Sequence, residues 1–222
     1  MYYDSNLLSA ALDDATFPII DEMMEYHAPE PPFLTFAAPG AARALSMYGR
    51  TVLATRDPFG GPPGDGVEVR IASPGDPMVF PPGRFGLVHA RWTGFGGSTI
   101  RNLIRWLKPG GILLVEGPDC YPARNIAGGP YRSVAQAVSA RLDLPHSLEL
   151  PALLMRHGLS YVGCRHQALV TSAFQTLLQS LIEQGAPWPE LKAEDLRDWP
   201  KDPVARVPAL MNVLAWGINE KT

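Results

Sequence analysis

The chain has 222 residues, 46% of them hydrophobic, enough for one α/β domain with a substantial core. A formal net charge of −3 and Arg residues spread along the chain exclude a general field for holding a polyanion, so no nucleic-acid partner is expected. Cys120 and Cys164 lack metal-ligand spacing and do not demand a disulfide, and there is no metal site, signal peptide or membrane-spanning run, which together place the chain in the cytoplasm.

Residues 5–28 read as helical, with Ser5 as N-cap and Leu7, Leu8, Leu12, Phe17, Ile20, Met23 and Met24 as the apolar positions. Pro18 and the Pro29–Pro32 cluster are expected to break this stretch into pieces. Phe33–Ala37 reads as a buried strand, Ala41–Tyr48 as a helix, Thr51–Thr55 as a second strand, Pro58–Gly66 as a loop and Val67–Ile71 as a third strand. The run FGLVHARWTGFGGSTIRNLIRWLKPGGILLVE, Phe85–Glu116, then reads as a strand ending near His89, a helix with Ile100, Leu103, Ile104 and Leu107, a Lys-Pro-Gly-Gly turn and a second strand ending in Glu116.

After Glu116 the reading continues with a loop over Gly117–Pro130, helices over Tyr131–Leu142 and Ser147–His157, and Gly158 as a C-terminal helix glycine. A strand over Tyr161–Val170, a helical insertion over 172–200 and a last strand over Val207–Ile218 complete the chain. Alternating strands and helices with right-handed crossovers predict a single Rossmann-like α/β domain, mostly parallel, with helices on both faces. Gly94–Gly97 and Gly60-Gly61 lack the spacing of a phosphate loop, the histidines at 146, 157 and 166 lack zinc spacing, and no Gly-x-Ser-x-Gly elbow occurs.

The Phe85–Glu116 block resembles the second half of a class I S-adenosylmethionine-dependent methyltransferase, and the ending VLAWGIN resembles the final strand of members that act on small molecules. The resemblance covers nearly the whole chain and implies a seven-stranded sheet with its last strand antiparallel, residues 1–32 serving as an N-terminal lid. It also implies a cofactor site at the ends of the first three strands. There this chain departs from the family: Leu34 or Thr35 stands where an acid is usual, and Phe36, Ala37 or Ala38 where glycines are, with Gly40 remaining near the turn. Arg56 replaces the usual ribose carboxylate, Asp57 is one residue late, and Ser73 ends the third strand where an Asp is common. Phe36 is expected to block the approach to the backbone, so no cofactor is expected and S-adenosylmethionine is the alternative.

Ligands of open α/β sheets lie beyond the carboxyl ends of the strands, which draws attention to His89, Arg91 and Trp92 after the fourth strand and to Glu116, Asp119 and Tyr121 after the fifth. His89 suits a general acid or base, or else caps its strand through a backbone bond. Arg91 suits a bidentate fork for an anion, or an ion pair with Glu116 or Asp119. Catalysis is thus assigned to His89, Arg91, Asp119 and Tyr121, and substrate contact to Tyr26 and His27 of the lid with Trp92, Trp188 and Trp199. The resulting expectation is a methyltransferase-fold enzyme that cyclises, rearranges or eliminates on a small apolar substrate without S-adenosylmethionine. The alternatives are an active methyltransferase with an atypical site, using Asp57 and Gly40, and an inactive subunit of a biosynthetic partner enzyme; a homodimer is also open.

Overall fold

The computed structural model describes residues 6–56, 64–93, 95–119, 149–168 and 211–220. In chain order these form α1 (Asn6–His27), β1 (Phe33–Phe36), α2 (Pro39–Ser46), β2 (Thr51–Thr55), β3 (Val67–Ile71), β4 (Phe85–Arg91), α3 (Gly97–Trp106), β5 (Leu107–Asp119), α4 (Leu150–Arg156), β6 (Ser160–Ala168) and β7 (Met211–Ile218). The strands make one seven-stranded sheet in the order β3-β2-β1-β4-β5-β7-β6. Strands β1 to β5 pair in parallel, and β7 runs antiparallel to both β5 and β6. This is the doubly wound sheet that the strand–helix alternation predicts, with the reversed last strand that the resemblance implies. The expected helix over Tyr131–Leu142 and the insertion over 172–200 lie outside the described residues.

Alternation along the strands separates two cores. Leu34, Phe36, Val52, Ala54, Val88, Ala90, Leu113 and Val115 point to one face, where Ile100, Leu103 and Trp106 of α3 and Leu150 and Leu154 of α4 cover them. Phe33, Leu87, Ile112, Leu114 and Leu214 point to the other, beneath Ile19, Ile20, Met23 and Met24 of α1 and Leu45 of α2. The apolar spacing 12, 15, 19/20, 23/24 explains how α1 lies flat on that face.

Three local expectations change. Helix α1 continues through Pro18, because its buried Ile19, Ile20 and Met23 hold the second half against the sheet despite the lost backbone bond. Leu107 begins β5 instead of ending α3, and the Lys-Pro-Gly-Gly turn appears as an excursion within β5: Phe85 faces Leu107 while Leu87 faces Ile112. Gly110 has φ +74° at that excursion, the left-handed conformation that glycine adopts without strain. The glycine expected at the end of the Ser147–His157 helix is found as such, Gly158 having φ +83° just beyond α4.

Candidate functional site

The face beneath α1 is apolar over most of its length and becomes polar at the carboxyl ends of β1, β4 and β5. Thr35, His89, Arg91, Glu116 and Asn212 are all buried there, and Asp13 and Thr16 descend from α1 to meet them. These residues reach one place because the alternation that points Phe33, Leu87, Leu114 and Leu214 toward α1 also points Thr35, His89, Arg91 and Glu116 that way, and on the reversed strand β7 Asn212, two residues before Leu214. His89 is fully enclosed, and both ring nitrogens are engaged, Nε2 with Glu116 Oε1 at 2.5 Å and Nδ1 with Thr35 Oγ1 at 3.1 Å. Because Glu116 is ionised, Nε2 carries the proton that it donates.

Arg91 is the hub. Its guanidinium donates to Asp13 Oδ1 at 2.7 Å, to Thr16 Oγ1 at 3.2 Å and to Glu116 Oε1 at 3.1 Å. The other Glu116 oxygen accepts from Asn212 Nδ2 at 2.7 Å. Burial works to raise the Glu116 carboxyl, yet the Arg91 charge and the bonds from His89 and Asn212 outweigh it and hold the pKa at about 2. Burial likewise opposes the Arg91 charge and is outweighed by Glu116 and Asp13, so Arg91 stays above its usual range. Asp13 moves the other way: burial raises its pKa, and Arg91, already shared with Glu116, does not fully offset this.

Trp92 closes the polar end. Its backbone N–H donates to the carbonyl of Glu116 at 2.8 Å, and its indole Nε1–H donates to Asn212 Oδ1 at 3.1 Å. Its φ of +49° lies in the left-handed region, which costs a bulky L residue about 1–3 kcal/mol.

Beside this cluster is the turn Ala37–Gly40, half-buried, leading from β1 into α2. A Cβ on Gly40 would lie 1.9 Å from Asp13 Oδ2, so any larger residue there would displace the Asp13 carboxyl. A groove of about 470 Å³ between α1 and α2 reaches Gly40 and Asp13. At the ends of β2 and β3, Arg56 donates to Ser73 Oγ at 3.2 Å.

Several placements differ from the sequence expectation. Phe36 does not obstruct the turn: its ring faces the opposite core, stacked on Trp106 at 5.8 Å and edge-on to Phe80 at 6.5 Å. Thr35, one residue earlier, takes the face toward the cluster. Tyr26 and His27 are exposed at the far end of α1, about 20 Å along the helix from Asp13 at 1.5 Å per residue. They line a separate cleft of about 450 Å³ with Ile19, Glu22, Met23 and Trp216, away from His89 and Arg91. The bland alternative for Arg91, an ion pair with Glu116, is present. The side chain of Asp119 and all of Asp57, Tyr121, Trp188 and Trp199 lie outside the described residues.

Asp13, Thr16 and Asn212 escaped the sequence reading. The first two carried a signal, since a carboxylate and a hydroxyl stand at the 13, 16, 20 spacing of the buried stripe of α1. Asn212, inside an otherwise apolar strand, carried a weaker one.

No protein-family model matches the chain, and no curated protein matches it in sequence. Solved structures do match. A protein of Galdieria sulphuraria, provisionally named a sarcosine dimethylglycine methyltransferase, aligns over 95% of this chain and 86% of its own at 15% identity and a TM-score of 0.61. Geranyl diphosphate C-methyltransferase of Streptomyces coelicolor A3(2), solved with Mg²⁺, geranyl diphosphate and S-adenosylhomocysteine, aligns over 94% of this chain and 79% of its own, at 15% identity and a TM-score of 0.53. Phosphoethanolamine N-methyltransferase 2 of Haemonchus contortus, solved with phosphomonomethylethanolamine and S-adenosylhomocysteine, aligns over 94% of this chain but 53% of its own, at 10% identity and a TM-score of 0.60. The chain therefore has the fold of class I S-adenosylmethionine-dependent methyltransferases. The expectation of a cofactor-free protein is corrected by these comparisons, since neighbours of this fold hold S-adenosylmethionine or S-adenosylhomocysteine. Among the described residues no helix is long and apolar enough to cross a membrane.

Proposed function

We propose that the protein is an S-adenosylmethionine-dependent methyltransferase acting on a small molecule. The observation that carries this reading is the half-buried Ala37–Gly40 turn at the carboxyl end of β1, free of the Phe36 ring and leading into a helix N-terminus. Three of its four residues are Ala or Gly, so the methionine end of the cofactor would meet backbone and methyl groups there.

The residues present fit the cofactor in a modified way. At the nucleoside end, Arg56 and Ser73 offer hydrogen-bond donors in place of the usual carboxylate, and donors suit the ring nitrogens and ribose oxygens of adenosine. When bound, the cofactor supplies an electrophilic methyl group. The buried cluster then serves as scaffold: Arg91 ties α1 to the sheet through Asp13 and Thr16, while Glu116 fixes His89, Arg91 and Asn212 at once. His89, enclosed and bonded at both ring nitrogens, orients the ends of β1 and β4 and does not touch substrate. Orientation of the two reacting molecules is what such a rigid frame contributes to rate.

Calorimetric titration of the whole chain with S-adenosylmethionine and S-adenosylhomocysteine tests the reading. Saturable binding of both, weakened in Arg56→Ala, is expected. Absence of heat for either ligand at millimolar concentration, confirmed by equilibrium dialysis, would overturn it.

A further inference from the structure

Asp13 uses its two carboxyl oxygens differently. Oδ1 accepts from Arg91 at 2.7 Å, which ties α1 to the sheet. Oδ2 is turned toward the start of α2: a Cβ on Gly40 would lie 1.9 Å from Oδ2 and 3.5 Å from Oδ1. Among the described residues Oδ2 accepts no hydrogen bond, although Asp13 is only 9% exposed. Asp13 and Gly40 together line the groove of about 470 Å³ between α1 and α2. An enclosed carboxylate oxygen without a partner is costly until a donor reaches it. Burial accordingly raises the Asp13 pKa despite the neighbouring guanidinium.

The methionine end of S-adenosylmethionine carries a carboxylate and an α-ammonium group, and the Ala37–Gly40 turn by itself suits only the first. Helix α2 starts at Pro39 without a side-chain cap, so its first backbone N–H groups suit an anion. An ammonium group has three donors and needs acceptors. The side chains of Ala37, Ala38, Pro39 and Gly40 offer none, and the Thr35 hydroxyl is bonded to His89. Asp13 Oδ2 stands directly against this turn. Asp14 and Asp21 outnumber Arg43 among the other charged linings of the groove, which favours a cation there.

Resting on the methyl-transfer reading above, we propose that Asp13 is a cofactor-binding residue whose Oδ2 accepts from the α-ammonium group of S-adenosylmethionine at the Ala37–Gly40 turn. Helix α1 then belongs to the cofactor site itself, and supplies from outside the sheet the carboxylate that the end of β1 lacks. Arg91 sets the orientation by holding Oδ1, so one side chain both ties the helix down and meets the ligand.

S-adenosylhomocysteine and its deaminated analogue, in which hydrogen replaces the α-amino group, differ only in this contact, so the ratio of their dissociation constants in calorimetric titration isolates it. The unaltered protein should bind S-adenosylhomocysteine about tenfold to a hundredfold more tightly, the range of a hydrogen bond to a charged group. Asp13→Asn keeps an oxygen for Arg91 and removes the charge; it should weaken S-adenosylhomocysteine by a similar factor and leave the analogue nearly unchanged. Gly40→Ala displaces Oδ2 while keeping the charge, should lower the same ratio, and decides the matter if Asp13→Asn does not fold by circular dichroism. Equal affinity of the unaltered protein for the two ligands, or a ratio unmoved in the folded variants, would reduce Asp13 to a tie between helix and sheet and overturn the proposal while leaving the methyl-transfer reading intact. Failure of S-adenosylhomocysteine to bind the unaltered protein would instead sink the underlying reading and this proposal with it.

Discussion

Replacing Arg91 by Leu removes the guanidinium that links α1 to the sheet and leaves the Asp13 and Glu116 carboxyl groups facing an apolar side chain. Three contacts disappear together: Asp13 at 2.7 Å, Glu116 at 3.1 Å and Thr16 at 3.2 Å. Breaking a buried ion pair by removing one partner costs about 3–5 kcal/mol, since the remaining charge is left uncompensated. For a domain of this size each kcal/mol lowers the melting temperature by about 2–4 °C, so a fall of roughly 6–20 °C is expected. Thermal unfolding followed by circular dichroism measures it. Asp13→Asn in the Arg91→Leu background should restore part of the loss by removing one orphaned charge, and a double-mutant cycle isolates the coupling. A change below about 1 kcal/mol in Arg91→Leu, the scale of an exposed surface pair, would refute the account of Arg91 as the hub of a buried cluster.

Acid titration tests the neighbouring carboxylate. The Glu116 pKa is lowered from 4.5 to about 2, so its contribution is fully present above pH 4.5 and is lost as pH falls from there toward 2. That shift amounts to about 3 kcal/mol, and Glu116→Gln should show a flatter loss of stability over this window in pH-dependent urea denaturation. An acid limb as steep as that of the unaltered protein would count against it. Phe36→Ala should cost about 3–5 kcal/mol by opening a cavity against Trp106 and Phe80, without strengthening cofactor binding, because the ring lies in the core and not beside the turn. A clear gain in S-adenosylhomocysteine affinity in that variant would return Phe36 to the cleft.

Much of the fold is legible in the sequence because it depends on local pattern. The Phe85–Glu116 block switches from a buried run to helical spacing and back, with glycines at the excursion, and β4, α3 and β5 follow it with Leu107 moved from helix to strand. Pro18 misleads because tertiary burial of Ile19, Ile20 and Met23 overrides a local helix breaker. Phe36 misleads because the side-chain period of a strand is two, so a shift of one residue moves a ring from the cleft to the opposite core. The cluster itself was half visible: His89, Arg91 and Glu116 stand at the ends of readable strands, with Asp13 marked by its place on the buried stripe of α1. The bonds of Asn212 to Glu116 and Trp92 span 96 and 120 residues and depend on the antiparallel register of β7 against β5, which no local pattern encodes.

A crystal structure of the protein with S-adenosylhomocysteine tests the central claim most directly. The account predicts the methionine end against the Ala37–Gly40 turn and the nucleoside within hydrogen-bond reach of Arg56 and Ser73. Ligand bound elsewhere, or a turn left empty at saturating ligand, would contradict it.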